Sequence, residues 1–287
     1  MAFVDHIARC NTHDLTKFRR FSLGGTAAGF VTHEFAEHLY GLANIETNGD
    51  GDINLASADL SFDGRTSSLR ALCIALQNRG ILDAPRGELF PVTASWKQTP
   101  LAAIDRAWVT HFGLPAYGVH LNGYVHKPDG LHMWIARRAA GKMTYPGELD
   151  NIVAGGQPIG LGLMQNMIKE AEEEAAIPTH LTDKIRPVGT ISYIMENEAG
   201  IKFDTMFNFD VELPAGFVPE NTDGEVDEFM LLPIQEVAEI VRKSFDFKFN
   251  CNLVIIDFLI RHGVLSPDNE PDYGPLCAGL RVDLPIG

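Results

Sequence analysis

Four glutamates lie within five residues near the middle of the chain, and three of them can share one side of a helix. Glu170, Glu173 and Glu174 are spaced by three and four residues, whereas Glu172 points elsewhere. Like charges at such spacings destabilise an isolated helix by about 0.2–0.5 kcal/mol per pair. A solvated acidic face is one interpretation of this pattern. A bound cation is the other, and oxygen ligands of this kind favour Mg²⁺ or Mn²⁺.

A glycine-rich segment, "AGGQPIGLG", comes directly before the predicted helix. Charge alone favours the solvated face, but glycines leave a backbone that a ligand can approach closely. The segment therefore shifts the interpretation towards a ligand site. On another side of the helix, an apolar stripe is expected to face the core. Its members are Met164, Met167, Ile168, Ala171 and Ala175.

Together, the glycine segment and the glutamates resemble the signature box of the Nudix hydrolases. Counted from Gly155, Glu170 falls on the first glutamate of the carboxyl-terminal part of the box, and Glu173 and Glu174 fall on its glutamate pair. Ile177 matches the final aliphatic position. The resemblance implies hydrolysis of a diphosphate linked to another group.

Three positions depart from the box. Leu161 replaces an early glutamate, Lys169 replaces an arginine and Ala176 replaces a glycine. The early glutamate mainly supports the box, so its loss affects loop geometry more than metal binding.

The resemblance extends beyond the box, through "YGVHLNGYV", "KEAEEEAAIP" and "FLIRHG". These segments are similar to a subfamily that carries an extra amino-terminal domain. Its members include the Nudix half of a fungal thiamine pyrophosphokinase fusion and plant Nudix enzymes. That subfamily also tends to lack the early glutamate, which agrees with Leu161.

The resemblance implies a catalytic centre built on Mg²⁺ or Mn²⁺. Glu170, Glu173 and Glu174 would hold the metal, and the carbonyl of Gly155 would add a ligand. One carboxylate must accept a proton from the attacking water, and Glu170 is the first choice. Positioning and charge neutralisation then supply most of the catalysis.

Charged residues outside the box are further candidates for the substrate site. Arg138 and Lys142 are expected to meet the phosphates, although such residues are more often simply exposed charges. Glu225 and Glu228 lie where other family members place a further ligand or base, and a surface loop is the alternative.

The subfamily resemblance implies that the substrate is an oxidised thiamine diphosphate, cleaved to the monophosphate and phosphate. One alternative is a nucleoside-diphosphate-sugar or dinucleotide hydrolase on the same fold. Another is a ligand-binding protein without catalytic activity, against which the three intact glutamates argue. Trp96, Trp108 and Trp134 are candidates to stack on a ring, although such residues are more often part of the core.

The elements that position these residues are predicted from periodicity. The runs "YGVHLNGYVH", "LHMWIARR", "KIRPVGTISYIMEN" and "KFDTMFNFDVEL" are typical of strands, and "LLPIQEVAEIVRKSF" and "NCNLVIIDFLIRHG" of helices. With the resemblance, they predict an α+β fold, an α/β/α Nudix sandwich with a mixed sheet, over residues 116–287. A smaller α+β accessory domain is expected over residues 1–115, with the boundary near "FGLPAYG".

The composition excludes several classes of function. A formal net charge of −15 disfavours nucleic-acid binding, which needs a basic surface. The most apolar run, "NLVIIDFLI", is too short to span a bilayer. The four cysteines are widely spaced, which predicts reduced thiols rather than disulfides or zinc ligands. A cytoplasmic protein without a membrane partner is expected, with the amino-terminal domain offering part of the substrate pocket or a homodimer surface.

Overall fold

A mixed sheet of seven strands forms the frame of the carboxyl-terminal part of the chain. The computed structural model describes residues 2–285. Residue 1 and residues 286–287 are the outer ends of the two predicted domains, and they lie outside the described residues. The elements of this part are β7 (Pro115–Lys127), β8 (Gly130–Arg138), β9 (Leu149–Asn151), β10 (Val153–Gly156), α4 (Leu163–Ala175), α5 (Thr179–Thr182), β11 (Arg186–Asn197), β12 (Gly200–Glu212), β13 (Val226–Pro233), α6 (Ile234–Lys243), α7 (Cys251–Arg261) and α8 (Tyr273–Gly279).

The central strands run in the order β11-β12-β7-β8-β13, with β10 also paired to β7 and β9 to β8. Strand β12 is parallel to β7 and the other pairs are antiparallel. Because side chains alternate along a strand, Val119 and Leu121 of β7 join the core beneath α4. Met133 and Ile135 of β8 join the core on the opposite face, with α6 and α7. The predicted α+β class and its α/β/α layering around a mixed sheet are confirmed.

The amino-terminal part has its own sheets and its own core. Its elements are α1 (Phe3–Cys10), β1 (Phe18–Leu23), β2 (Thr26–Thr32), α2 (His33–Leu39), β3 (Ile45–Thr47), β4 (Ile53–Leu55), α3 (Phe62–Asn78), β5 (Leu89–Val92) and β6 (Ala102–Asp105). Four strands form one sheet in the order β2-β1-β4-β3, and β5 and β6 form a separate pair. Helix α3 ends before Gly80, whose φ of +73° is the left-handed conformation that commonly follows a helix.

Helix α1 crosses the predicted division of the chain. Its buried residues Phe3, Ile7 and Cys10 belong to the core that also contains α6 and α7. The first helix therefore packs with the carboxyl-terminal layers rather than with the sheet that follows it in sequence. The division into residues 1–115 and 116–287 stays a prediction.

One predicted helix begins later than expected. The segment "LLPIQEVAEIVRKSF" was predicted to be helical throughout, but Leu231–Pro233 completes β13 and α6 starts at Ile234. A residue before proline is pushed towards extended backbone, which explains the boundary. Among residues 2–285, no helix combines the length and the apolar character needed to cross a membrane.

Candidate active site

Two buried amide side chains hold the glycine segment in front of α4. Gln157 donates to the carbonyl of Leu161 at 2.7 Å, and Asn166 donates to the carbonyl of Gly156 at 2.7 Å and to Gln157 at 3.1 Å. The helix thus tethers the loop that precedes it. These bonds support the loop although Leu161 stands where the family has a glutamate.

Glu174 lies on the buried side of α4, with only 7% of its surface exposed. Its Oε2 accepts a hydrogen bond of 2.9 Å from the backbone nitrogen of Ala154. Burial raises the pKa of Glu174 to about 8. The predicted apolar stripe is therefore wrong in part: Asn166 and Glu174 are buried, whereas Met164 is exposed. The contact with β10 orients the helix in this way.

Glu170 lies directly against the backbone of Gly155. A Cβ placed on Gly155 would stand 2.7 Å from the carboxyl carbon of Glu170 and 2.9 Å from its Oε2, so only glycine leaves room for this carboxylate. The side chain is 15% exposed, and burial raises the pKa of Glu170 above its ordinary value although Lys169 opposes the shift. Glu170 and Gly155, which were both predicted for the metal site, are therefore in direct contact.

Glu173 differs from its neighbours in being half exposed. Lys169 lies between two of the glutamates, 2.6 Å from Glu173 and 3.2 Å from Glu170. The hydroxyl of Thr222 donates to the backbone carbonyl of Glu173, which ties the loop after β12 to the helix. Glu172 is exposed and points away, in agreement with its angular position.

The structure brings Glu174 together with two acidic residues from the loop before β13. Carboxylate oxygens of Glu174, Asp223 and Glu225 all lie within 4.8 Å of one another. The sequence indicated Glu225, but it contained no signal for Asp223. Among the described residues, the predicted trio of Glu170, Glu173 and Glu174 does not form such a group. Their angular spacing allowed it, but Glu173 pairs with Lys169 at the exposed side of the helix, whereas Glu174 turns inwards to the backbone nitrogen of Ala154.

The three charged residues predicted to meet substrate have different surroundings. Lys142 forms an ion pair with Glu225 beside the acidic group. Arg138 is buried and forms an ion pair of 2.8 Å with Asp150, and its contact with phosphates stays a prediction. Glu228 is exposed, 3.5 Å from Arg137, and lies outside the group formed by Glu174.

Asp150 is the centre of a buried polar network beneath this site. It accepts hydrogen bonds from Arg138 at 2.8 Å and from the thiol of Cys251 at 2.7 Å, and Lys248 lies 3.9 Å away. Burial by itself would raise the pKa of Asp150, but Lys248, His120 and Arg138 outweigh it and the pKa is lowered. His120, Asp150 and Cys251 could in principle ligate a metal, but the two neighbouring cations oppose one.

The amino-terminal part contacts the glycine segment directly. The ring of Phe90 lies 2.6 Å from the point that a Cβ on Gly156 would occupy, so this contact also requires glycine. The backbone nitrogen of Ile159 donates to the carbonyl of Leu89 at 2.9 Å. Strand β5 therefore forms one wall of the loop that leads into α4.

The donor set suits a small, hard cation. Glu174, Asp223 and Glu225 supply carboxylate oxygens, and such ligands are preferred by Mg²⁺ and Mn²⁺. Burial disfavours the charged form of Glu174, and a bound cation would favour that form. The residues that are present therefore fit a divalent metal.

Comparisons with known proteins cover nearly the whole chain. "Nudix hydrolase 24, chloroplastic" of Arabidopsis thaliana is 39% identical over 97% of this chain and 77% of its own length. "Nudix hydrolase 20, chloroplastic" of the same plant is 38% identical over the same shares. A family model described as a domain of unknown function (DUF4743) matches residues 2–116. Among solved structures, the NUDIX domain of Shewanella oneidensis NrtR complexed with ADP ribose is similar, with 13% identity, a TM-score of 0.42, and coverage of 54% of this chain and 91% of that chain.

The plant relatives overturn one expectation from the sequence. A cytoplasmic location was expected, and it is wrong on this comparison, because both relatives are named chloroplastic.

Proposed function

The chain belongs to the Nudix hydrolases, enzymes that act on diphosphate anhydrides, and on that premise we propose that its substrate is an oxidised thiamine diphosphate. Water attacks one phosphorus atom, the bond between that phosphorus and the bridging oxygen breaks, and the products are the monophosphate and phosphate. The cofactor is Mg²⁺ or Mn²⁺. The thiamine assignment is supported by the subfamily resemblance in "YGVHLNGYV", "KEAEEEAAIP" and "FLIRHG".

The hydrolytic part of the proposal rests on the acidic group beside Lys142. Glu174, Asp223 and Glu225 present oxygens within 4.8 Å of one another, and the Lys142 ammonium is paired to Glu225 at its edge. Hydrolysis of a diphosphate needs positive charge around the phosphate oxygens, because negative charge builds up on the phosphate that leaves. Lys142 supplies one such charge from the chain itself.

Glu174, Asp223 and Glu225 would hold the metal, and Glu170, Glu173 and the carbonyl of Gly155 remain in the proposed site. When bound, the metal neutralises phosphate charge and lowers the pKa of a bound water. Glu170 is the proposed general base. Its carboxylate is partly buried against Gly155, which fixes its position and limits competition from solvent. It would accept the proton that the attacking water loses.

The other charged residues have supporting roles. Arg138 also has a positioning role in this proposal. It neutralises the buried Asp150 and holds the end of β8, from which the loop carrying Lys142 departs. Lys169 links Glu170 to Glu173 and so limits the movement of both.

Selectivity for the oxidised cofactor has to come from the organic group, since the carboxylates and the metal contact only the diphosphate. In oxothiamine, the added carbonyl on the thiazole ring removes its positive charge. A binding pocket with polar partners for that carbonyl can therefore separate damaged from intact cofactor by charge as well as by shape.

The proposal is tested by kcat/KM for oxothiamine, oxythiamine and intact thiamine diphosphates, beside ADP-ribose. We expect an oxidised thiamine compound to be the best substrate, with phosphate release that depends on Mg²⁺ or Mn²⁺ and stops with a chelator. A Glu174→Gln preparation controls for contaminating phosphatases. A higher kcat/KM for ADP-ribose than for every thiamine compound would refute the thiamine assignment, although not the hydrolase family.

A further inference from the structure

Three aromatic rings meet where the amino-terminal part covers the large sheet. The Trp96 ring centroid lies 4.9 Å from that of Tyr117 and 4.8 Å from that of Phe207, with interplanar angles of 57° and 55°. Tyr117 is buried, whereas Trp96 and Phe207 are half-buried. Two of the three residues therefore keep part of their surface accessible, unlike the residues of a closed core.

Strand register places this cluster on the same face of the sheet as Glu170. Gly155 pairs with Val119, and the Glu170 carboxylate lies where a side chain at Gly155 would point. Tyr117 is two residues from Val119 along β7, so its side chain points to that same face, about 7 Å along the strand. Phe207 pairs with Val119 from the other side. The rings therefore lie on the face of the sheet that carries Glu170, and Tyr117 is one step beyond Val119 on that face.

The segment that carries Trp96 connects β5 and β6 and is held in a specific shape. Thr93 donates to the carbonyl of Ser95 at 2.9 Å, and the backbone of Leu101 donates to Val92 at 2.8 Å. Lys97, next to the tryptophan, has a φ of +69°, which is unfavourable for a residue other than glycine. Such strain persists only where surrounding contacts enforce it.

The same strand also contacts the catalytic loop. Phe90 packs on Gly156 and the carbonyl of Leu89 binds Ile159, so β5 links the Trp96 segment to the loop before α4. Two exposed apolar side chains, Leu89 and Met164, flank that loop. Strand β5 therefore fixes the Trp96 segment relative to the loop before α4.

We propose that Trp96, with Tyr117 and Phe207, forms a subsite that stacks on a planar heteroaromatic ring of the group attached to the diphosphate. This subsite deepens the proposed function, since it is the part of the pocket that the metal and the glutamates cannot supply. Aromatic faces bind flat rings through dispersion and favourable ring electrostatics. Trp96 is thus a specificity residue contributed by the amino-terminal part.

The test compares Trp96→Ala and Trp96→Phe on diphosphates with and without a ring. The substrates are oxothiamine diphosphate, ADP-ribose and the ring-free isopentenyl diphosphate, each with Mg²⁺. For Trp96→Ala we expect KM to rise about tenfold or more for the ring-bearing compounds, a loss in the range measured for base–aromatic stacking, with little change for the ring-free one. Trp96→Phe keeps a ring and should recover most of the loss. Tyr40→Ala, a partly exposed aromatic in another part of the amino-terminal region, is the matched control.

The outcomes separate this subsite from the thiamine assignment. If ADP-ribose proves the better substrate, the thiamine proposal fails, but a ring-specific loss on ADP-ribose still supports the subsite. Isothermal titration of the same compounds in Ca²⁺ gives affinities that do not depend on turnover. Equal losses on ring-bearing and ring-free compounds, or no loss on any of them, would overturn the subsite. Thermal unfolding of each variant shows whether a loss reflects unfolding.

Discussion

The carboxylate of Glu170 occupies the space into which a side chain at Gly155 would extend. A Cβ on Gly155 would lie 2.7 Å from the carboxyl carbon, closer than side chains tolerate. Helix α4 and strand β10 can approach this closely only because position 155 has no side chain. The proposed base and the proposed carbonyl ligand are thereby held together.

Gly155→Ala should consequently displace Glu170 and lower kcat by tenfold or more, roughly the scale of a misplaced catalytic group. The added methyl should also cost about 1–3 kcal/mol of stability, because a tight contact is overpacked. Steady-state kinetics and urea unfolding measure the two effects. Gly49→Ala is the control, since a Cβ there would meet nothing within 4 Å. Normal kcat in a folded Gly155→Ala enzyme would show that this contact does not position the base.

Ala176 lies in the left-handed region, with φ of +49°, at the carboxyl end of α4. The Nudix box has glycine at this position, and glycine adopts this conformation without strain. Ala176→Gly relieves this strain, but glycine also has the greater entropy in the unfolded chain, which offsets part of the gain. The net increase in the free energy of unfolding should be about 0.5–1 kcal/mol. Chemical denaturation checks the change. The neighbouring Ala175→Gly, inside the buried helix, should destabilise the protein; a loss of stability in both variants would contradict the argument.

Glu225 belongs to the acidic group and Glu228 does not, although the sequence indicated both as candidate ligands or bases. Glu225→Gln should weaken Mg²⁺ or Mn²⁺ binding, because it removes the charge of one of the three clustered ligand groups and the partner of Lys142. Glu228→Gln removes only an exposed pair with Arg137 and should leave metal affinity nearly unchanged. Titration of each variant with Mn²⁺ measures the difference. Equal affinities would remove Glu225 from the metal site.

Glu173→Gln and Glu172→Gln form a second matched pair on α4. Both side chains are substantially exposed, but Glu173 lies on the flank of Glu170 and Glu174, and Glu172 does not. We expect Glu173→Gln to lower kcat/KM on the order of 10²-fold, the scale of electrostatic contributions in active sites, with the fold retained. Glu172→Gln should behave like the unmodified protein. Near-normal turnover of Glu173→Gln at saturating metal would rule out an important role for Glu173.

Acid stability should depend on Asp210, which forms an ion pair with Arg261 at 2.5 Å. Burial alone would raise the pKa of Asp210, but hydrogen bonds from His262 and Arg261 outweigh it and lower the pKa. A carboxyl with a depressed folded-state pKa contributes stability above its unfolded pKa, about 3.9, and loses it as the pH falls through the folded value.

Asp210→Asn should therefore be less stable than the unmodified protein at pH 6, and the gap should narrow as the pH falls below about 4. Urea unfolding from pH 6 to pH 3 measures both proteins. The exposed Asp268→Asn serves as the control, with a curve expected to follow the unmodified protein. A constant gap over the whole range would show that the charge of Asp210 is not what stabilises the fold.

The sequence alone determined the elements that carry the site, because their signals are local. Alternation along "YGVHLNGYVH" and "LHMWIARR" predicted β7 and β8, and the spacing of the glutamates predicted helix α4. The match to the box located Glu170, Glu173 and Glu174 and indicated the family, now established by relatives that cover 97% of the chain. The boundary at Pro233 was missed, although proline carries a signal of its own.

Only the tertiary structure decided how those residues are used. Glu174 turns inwards because the backbone of Ala154 offers it a hydrogen bond, and Asp223 joins it from a loop that is 49 residues away in sequence. Arg138 forms an ion pair with the buried charge of Asp150. Trp96 meets Tyr117 because the loop between β5 and β6 packs on the large sheet. Periodicity specifies which side of an element is apolar, but strand pairing and the burial of charge determine which side chains meet, and those interactions join residues that no local pattern connects.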